Sequence, residues 1–374
     1  MLTDGKTLGL ALSGGGFRAT LFSLGSLWRL NDAGLLGKLD RITAVSGGSI
    51  LMGILAHRWQ TLEFQDGRAS NFVQAIAEPT RGFCAQTIDI GAGLAGLLMP
   101  FRTPGDFLAH RYEKDLFGET TIKDLPAADG GRAPKFIFYA TNMQTGRSFR
   151  FRQDMIADHM LGVSRETNVP LSVAVAASSA FPPIFSPVVL ATNPGHWTDG
   201  GGLPNLEALR KRIVLADGGV YDNMGLESLV DNVDVALVSD AGAPFDIEES
   251  PAEDNIFQLG RVRDILIDQT RALRKRWLIT EFEAGRKRGA YWGIGTDMAS
   301  YAEAPAHAGL SRMTDDTSIS RELEQVGTRL KKIKPELQGQ LINWGYALCD
   351  ISLRARVDKT IPMAGAWPVP ESPV

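Results

Sequence analysis

Residues 8–18, Leu8-Gly9-Leu10-Ala11-Leu12-Ser13-Gly14-Gly15-Gly16-Phe17-Arg18, decide how the rest of the chain is read. The apolar run 8–12 has the length and composition of a buried strand, and it ends on a serine and three glycines. Beyond them Leu21, Leu24, Leu27 and Leu30 recur at helical spacing until Gly34 closes the segment. The grammar then repeats: 39–45 reads as a second strand, Ser46-Gly47-Gly48 as a sharp turn, and 49–59 as a second helix. Strand–turn–helix written twice predicts an α/β fold, a mostly parallel central sheet flanked by helices.

Working outward, 136–141 (FIFYAT) is a further buried strand, 147–152 its possible hairpin partner, and 213–215 and 233–239 are strands. Residues 171–179 form a short Ala/Val-rich helix that opens after Pro170 and stops at Phe181-Pro182-Pro183. The text turns helical and amphipathic over 257–282 and 319–354. The expectation is one domain over 1–355, with helical additions at about 60–130 and 251–355. A Pro-rich tail over 356–374 is expected to be disordered or laid on the surface.

Composition narrows the function classes. The 374 residues are 44% hydrophobic and 22% charged with a net charge of −4, which argues against a nucleic-acid polymer as partner. Cys84 and Cys349 stand in unrelated contexts, so neither a disulfide framework nor a zinc knuckle is expected. There is no HExxH and no histidine cluster, and neither a metal nor a cofactor is expected. The start of the chain lacks a basic stretch followed by an apolar one, which makes cytoplasmic residence the expectation. No run reaches the ~18 apolar residues of a membrane span. The closest, 90–101 (IGAGLAGLLMPF), reads as a buried loop, a mobile flap or an interfacial insertion. Residues 261–288 hold nine Lys/Arg against four Asp/Glu, either a solvated helix face or a surface that meets anionic lipid headgroups.

Three pieces carry chemistry. Ala44-Val45-Ser46-Gly47-Gly48 is a small-x-Ser-x-Gly pentapeptide at a strand-to-helix junction, the context of a nucleophile elbow; a helix-capping serine would look similar. Gly14, Gly15 and Gly16 leave backbone N–H groups at a helix start, where anions are favoured, as an oxyanion hole or a nucleotide-binding turn. Arg18 either braces that loop or meets a phosphate. Asp217, after the 213–215 strand and before Gly218-Gly219, is placed to act as base; the plain reading is an Asp-Gly turn. Asp199 heads a second Asp-Gly-Gly triplet but follows no strong strand, so Asp217 is preferred. Histidine could compete as base. His57 is carried away along its helix, His110 and His159 lie in poorly patterned stretches, and His196 and His307 have loop contexts that could approach a site.

The order GGGFRA at 14–19, VSGGS at 45–49 and DGGVYDN at 217–223 resembles the patatin-like phospholipase family. AVAASSAFPPIF at 174–185 and LINWGYALCD at 341–350 look like further stretches of that family. The resemblance implies an α/β fold related to the cytosolic phospholipase catalytic domain and a Ser–Asp dyad without histidine. It also implies hydrolysis of fatty acyl esters of membrane lipids, with the enzyme peripheral to the membrane. Carried over by matching residues, Ser46 is the nucleophile, Asp217 the base, and Gly14, Gly15 and Gly16 the oxyanion site, supported by Arg18, Gly48, Gly218 and Gly219. Ala44 departs from the glycine of many relatives and tightens the turn. Bacterial members include nucleotide-activated, membrane-degrading effectors; a small nucleotide activator is compatible with this chain but carried by none of its residues. The rival expectations are a phosphate-binding module using the Gly14–Gly16 turn and a non-catalytic membrane binder using 90–101 and 261–288.

Overall fold

The strand β1 (Leu8–Leu12) pairs in parallel with β2 (Arg41–Val45) on one side and with β12 (Val235–Asp240) on the other. All five β1 residues are buried, as a strand covered on both faces requires. The computed structural model describes residues 5–88, 103–128, 133–251, 254, 257–303 and 310–374. The segment 90–101 and His307 therefore lie outside the described residues.

Among the described residues one sheet of eleven strands organises the molecule. Its parallel block runs β13 (Arg288–Gly293), β12, β1, β2, β5 (Lys135–Asn142). The sheet then continues antiparallel through β6 (Arg147–Arg152), β7 (Met155–Asp158), β8 (Gly162–Ser164) and β10 (Trp197–Thr198). Two strands lie off this path. β11 (Arg212–Asp217) pairs antiparallel with β5, and β9 (Val188–Ala191) pairs with β11. A separate hairpin joins β3 (Phe64–Gln65) to β4 (Arg68–Ala69).

The expected strand–turn–helix repeats are present. Helix α1 (Gly16–Asp32) follows β1, and α2 (Gly47–Arg58) follows β2. Further along stand α3 (Leu171–Ser179), α4 (Phe257–Glu283) and α5 (Pro335–Arg356). Between the two helical stretches expected beyond Pro251, 257–282 and 319–354, the chain also holds β13, whose sequence RGAYWG follows a turn at Gly285 with φ +67°. Its two aromatics and central small residues suit a strand in the parallel block better than another helical turn.

Helix α5 closes one face by packing on α1. Two glycines set that approach: a Cβ on Gly25 would lie 1.9 Å from the Ile342 carbonyl oxygen, and one on Gly345 2.0 Å from that of Phe22. The crossing is pinned by a buried ion pair, Arg29 Nε to Asp350 Oδ1 at 2.7 Å, with Arg354 on the other carboxylate oxygen at 2.7 Å. The C-terminal tail is anchored to α5. Asn343 donates its side-chain amide to the carbonyls of Val369 (2.8 Å) and Ser372 (2.7 Å), and Val369 is buried. A buried amide demands such partners, which is why so proline-rich a tail still holds one path.

Candidate active site

Ser46 begins the turn after β2 with φ 52° and ψ −120°, a conformation few non-glycine residues adopt. The surroundings over-determine it. The Ser46 N–H donates to both the carbonyl and the hydroxyl oxygen of Ser178 (3.1 Å each), and Ser178 Oγ shares a hydrogen bond with Ser49 Oγ at 2.7 Å. Behind the elbow two backbones touch: a Cβ on Gly47 would stand 2.1 Å from the Gly16 carbonyl oxygen, and one on Gly48 2.4 Å from that of Leu12. Ala44 lies within β2, opposite Leu12 and Phe138, so its methyl belongs to the strand and not to the turn.

The glycine turn divides its labour. The Gly14 N–H is already donated to the Asn223 carbonyl at 2.9 Å, which removes it from the set of oxyanion donors. Gly14 supplies space instead, since a Cβ there would meet Asn223 Oδ1 at 2.3 Å. The N–H groups of Gly15, Gly16 and Gly47 make no hydrogen bond among the described residues. They stand at the starts of α1 and α2, where the helix dipoles favour negative charge. Arg18 is the brace. Buried, it donates from Nε and Nη2 to the Ala241 carbonyl (3.0 and 2.9 Å), from Nη1 to the Val326 carbonyl, and from Nη2 to Thr328 Oγ1 (3.0 Å). Burial and the nearby Arg271 bring its pKa down to about 10.

Asp217 ends β11 and is buried. Its Oδ1 accepts the Gly219 N–H at 2.7 Å, and the Gly218 N–H donates to the same Ser178 carbonyl that receives Ser46 N–H. Its Oδ2 is buried and makes no hydrogen bond among the described residues, while the Ser46 hydroxyl stands near enough to favour the charged form. Burial outweighs both favourable contacts and pushes the carboxyl up to about 7.

Ser46, Asp217, Gly15 and Gly16 line one cleft of about 410 Å³, within the size range of small-molecule sites. Phe181 and Phe185 give it an apolar wall. Asp199 is exposed on the edge strand side, beside β10, and does not line the cleft. None of the histidines among the described residues lines it either. His57 bonds Thr120 Oγ1 at 3.1 Å, His110 faces Glu113 at 3.8 Å, and His159 and His196 are exposed.

Two positioning residues escaped the sequence reading. Ser178 sits in an Ala-rich helix with no polar pattern to mark it, and Asn223 was read only as part of a motif. A third feature, the buried Asp240 that receives Arg271 (Nη2 at 2.9 Å) and the Tyr291 hydroxyl (2.8 Å), ties α4 to the end of β12. Asp222, of the DGGVYDN motif, is structural: it accepts the N–H groups of Met224 (3.1 Å) and Leu226 (2.8 Å).

Fold and cleft together define an α/β protein with a strained serine elbow facing a buried carboxylate. The family model "Patatin-like phospholipase" matches residues 10–230, and the chain belongs to that family. Over 61 residues, 16% of this chain and 10% of the relative, it is 39% identical to the "Putative meiotic phospholipase SPO1" of Saccharomyces cerevisiae. Its fold is similar to that of human GIVD cytosolic phospholipase A2, with a TM-score of 0.53 at 13% identity, covering 94% of this chain and 61% of that one. A structure of the human protein in complex with a methyl gamma-linolenyl fluorophosphonate inhibitor and terbium chloride gives a TM-score of 0.50 at 13% identity, covering 93% and 57%. The chain thus spans less than two thirds of the length of these relatives. No described helix is long and apolar enough to cross a membrane.

Proposed function

We propose that this protein hydrolyses fatty acyl esters of membrane phospholipids, working from the lipid surface through a Ser46–Asp217 dyad. The observation that carries the reading is the pairing of a strained serine with a buried carboxyl whose pKa is lifted to about 7, in one cleft with unpaired backbone N–H groups. A carboxylate near its ordinary pKa of about 4 is a weak base, whereas one near neutrality is matched to proton transfer at the pH of a cell.

Asp217 Oδ2 takes the Ser46 hydroxyl proton as Oγ attacks the ester carbonyl carbon. The carbonyl oxygen gains the negative charge and is met by the N–H groups of Gly15 and Gly16, with Gly47 beside them. The tetrahedral adduct collapses by breaking the bond to the alcohol oxygen, which leaves with the proton from Asp217. Water then repeats the sequence on the acyl-enzyme, its proton going to Asp217, and releases the fatty acid. Fixed backbone donors of this kind contribute on the order of 10²–10³ in rate each.

The family membership supports this reading, as does the fluorophosphonate complex of the structurally similar human protein. Against a phosphate-binding module stands the Gly14 N–H, already bonded, and the Arg18 guanidinium, fully engaged with protein oxygens. The test is covalent labelling by an alkyl fluorophosphonate, read by mass spectrometry, alongside hydrolysis of p-nitrophenyl esters and phospholipid vesicles. Labelling at Ser46, lost in Ser46→Ala, is the expected result. Label on another residue with activity intact in Ser46→Ala would refute the dyad.

A further inference from the structure

Helix α4 carries apolar side chains outward as well as inward. A surface helix ordinarily turns its apolar face to the core and its charges to water. In α4 the inward face combines the buried Leu278 with charge: Arg271 reaches the buried Asp240, Arg274 lies 3.7 Å from Asp222, and Asp264 and Asp268 line the cleft. The outward face carries Leu259 (70% exposed), Val262, Leu266 (61%), Leu273 (59%) and Trp277. At 3.6 residues per turn these five fall within roughly 60° of one another, a stripe about 27 Å long. Apolar surface on that scale, left in water on one side of a single helix, marks an interaction face.

We propose that this stripe is the surface by which the protein docks on an anionic phospholipid bilayer, α4 lying in the interface with Leu259, Leu266, Leu273 and Trp277 immersed. The proposal rests on the acyl-hydrolase reading and names the face that delivers it. Two features select a bilayer over a protein partner. The first is continuity with the site. Arg261, Arg263, Ile267 and Arg271 of this helix form a wall of the Ser46 cleft, so the element that meets the lipid also borders the acyl-binding space. Apolar side chains next to the helix are exposed as well, Ile247 on the loop that lines the cleft and Ile184 after Phe181-Pro182-Pro183. The second is charge. Residues 261–288 hold nine Lys/Arg against four Asp/Glu, and two of those acids, Asp264 and Asp268, turn toward the cleft. Arg276, flanking the stripe, is exposed and makes no ion pair among the described residues. A basic helix with an apolar stripe and a tryptophan near its end is suited to anionic headgroups over acyl chains. The Asp240–Arg271 pair would hold that helix to the sheet while it bears on the membrane.

The test uses the full chain carrying Ser46→Ala, so that binding is read without catalysis, and phosphatidylcholine vesicles with and without phosphatidylglycerol. The Leu266→Glu, Leu273→Glu double variant is compared for vesicle sedimentation and, in the Ser46 background, for hydrolysis of vesicle lipid and of a monomeric short-chain ester. Neither leucine lines the cleft. Expected are binding that requires phosphatidylglycerol, a loss of binding and of vesicle hydrolysis of at least about tenfold in the double variant, and unchanged hydrolysis of the soluble ester. Equal vesicle binding by the variant, or no binding by the parent, would overturn the proposal. So would a parent dimer that the variant converts to monomer, which assigns the stripe to a second copy. A parent that binds vesicles through the stripe yet cleaves neither ester would instead remove the hydrolase reading.

Discussion

Ser46 and Asp217 meet because the strands that carry them pair with the same edge of β5 from opposite directions. Val45, rising on β2, lies opposite Tyr139, and Asp217, descending on β11, lies opposite the next residue, Ala140. The two strands end head to head, and the Ser178 carbonyl accepts an N–H from each side of the gap, Ser46 and Gly218. The proposed nucleophile and base are therefore located by sheet register, with α3 as the clamp across the junction.

That register makes the assignment of the base testable. Asp217→Asn keeps the shape of the side chain but removes its ability to take a proton, and Ser46→Ala removes the nucleophile. Each should lower kcat by at least about 10³, with KM for a soluble ester little changed. Asp199→Asn, on the exposed edge of the sheet, should be within twofold of the parent, and steady-state hydrolysis of p-nitrophenyl esters decides it.

Burial raises the Asp217 pKa to about 7, and the proposed reaction needs the ionised form. The rate constant kcat/KM should fall below pH 7 along a single-proton limb. The same shift works against stability. A carboxyl whose folded pKa exceeds its unfolded value of 3.8 favours the folded state when protonated, and that benefit is lost as pH rises to about 7. Asp217→Asn should thus match the parent in thermal stability near pH 4 and exceed it increasingly up to pH 7, after which the difference stays level. A Tm series across pH shows whether it does.

Ser178 holds the Ser46 N–H, so under the proposed dyad its effect on the rate is expected to run through Ser46 and not through substrate. Ser178→Ala removes the Oγ that holds the Ser46 N–H and Ser49 Oγ, while the Ser178 carbonyl contacts persist. The expected outcome is a fall in kcat of about tenfold with KM and the far-ultraviolet circular dichroism unchanged; Ser178→Thr should recover part of the rate. A change in KM alone would place the residue elsewhere.

Arg271→Met leaves the Asp240 carboxylate buried with the Tyr291 hydroxyl and the Gly242 N–H as its hydrogen-bond donors among the described residues. Breaking one side of a buried pair costs about 3–5 kcal/mol. Denaturant unfolding should show that loss, and the Asp240→Asn, Arg271→Met double variant should regain much of it, since no unpaired charge then remains.

The local pieces are legible in the residues alone. Five apolar residues before Ser13 and three glycines, a leucine spacing of three, and a second strand before Ser46 specify strand–turn–helix twice, because side-chain period and glycine placement act over a few residues. The sequence also points to Ser46 as the proposed nucleophile, since Gly47 and Gly48 after it leave no room for a side chain where the helix and strand backbones touch. Tertiary structure decided what depends on contacts between distant segments. That β11 runs antiparallel to β5, that Gly14 gives its N–H to Asn223, and that the proline-rich tail is held by Asn343 are all outcomes of pairing across the chain. The pKa of Asp217 is set by the bodies packed around it, which no residue near 217 encodes. The orientation of α4 has the same origin. Its apolar and charged residues are both legible in the sequence, but the buried Asp240 and Asp222, together with the cluster that takes in Leu278, fix which face turns inward, because an unpaired carboxylate in the core costs more than leucines left in water.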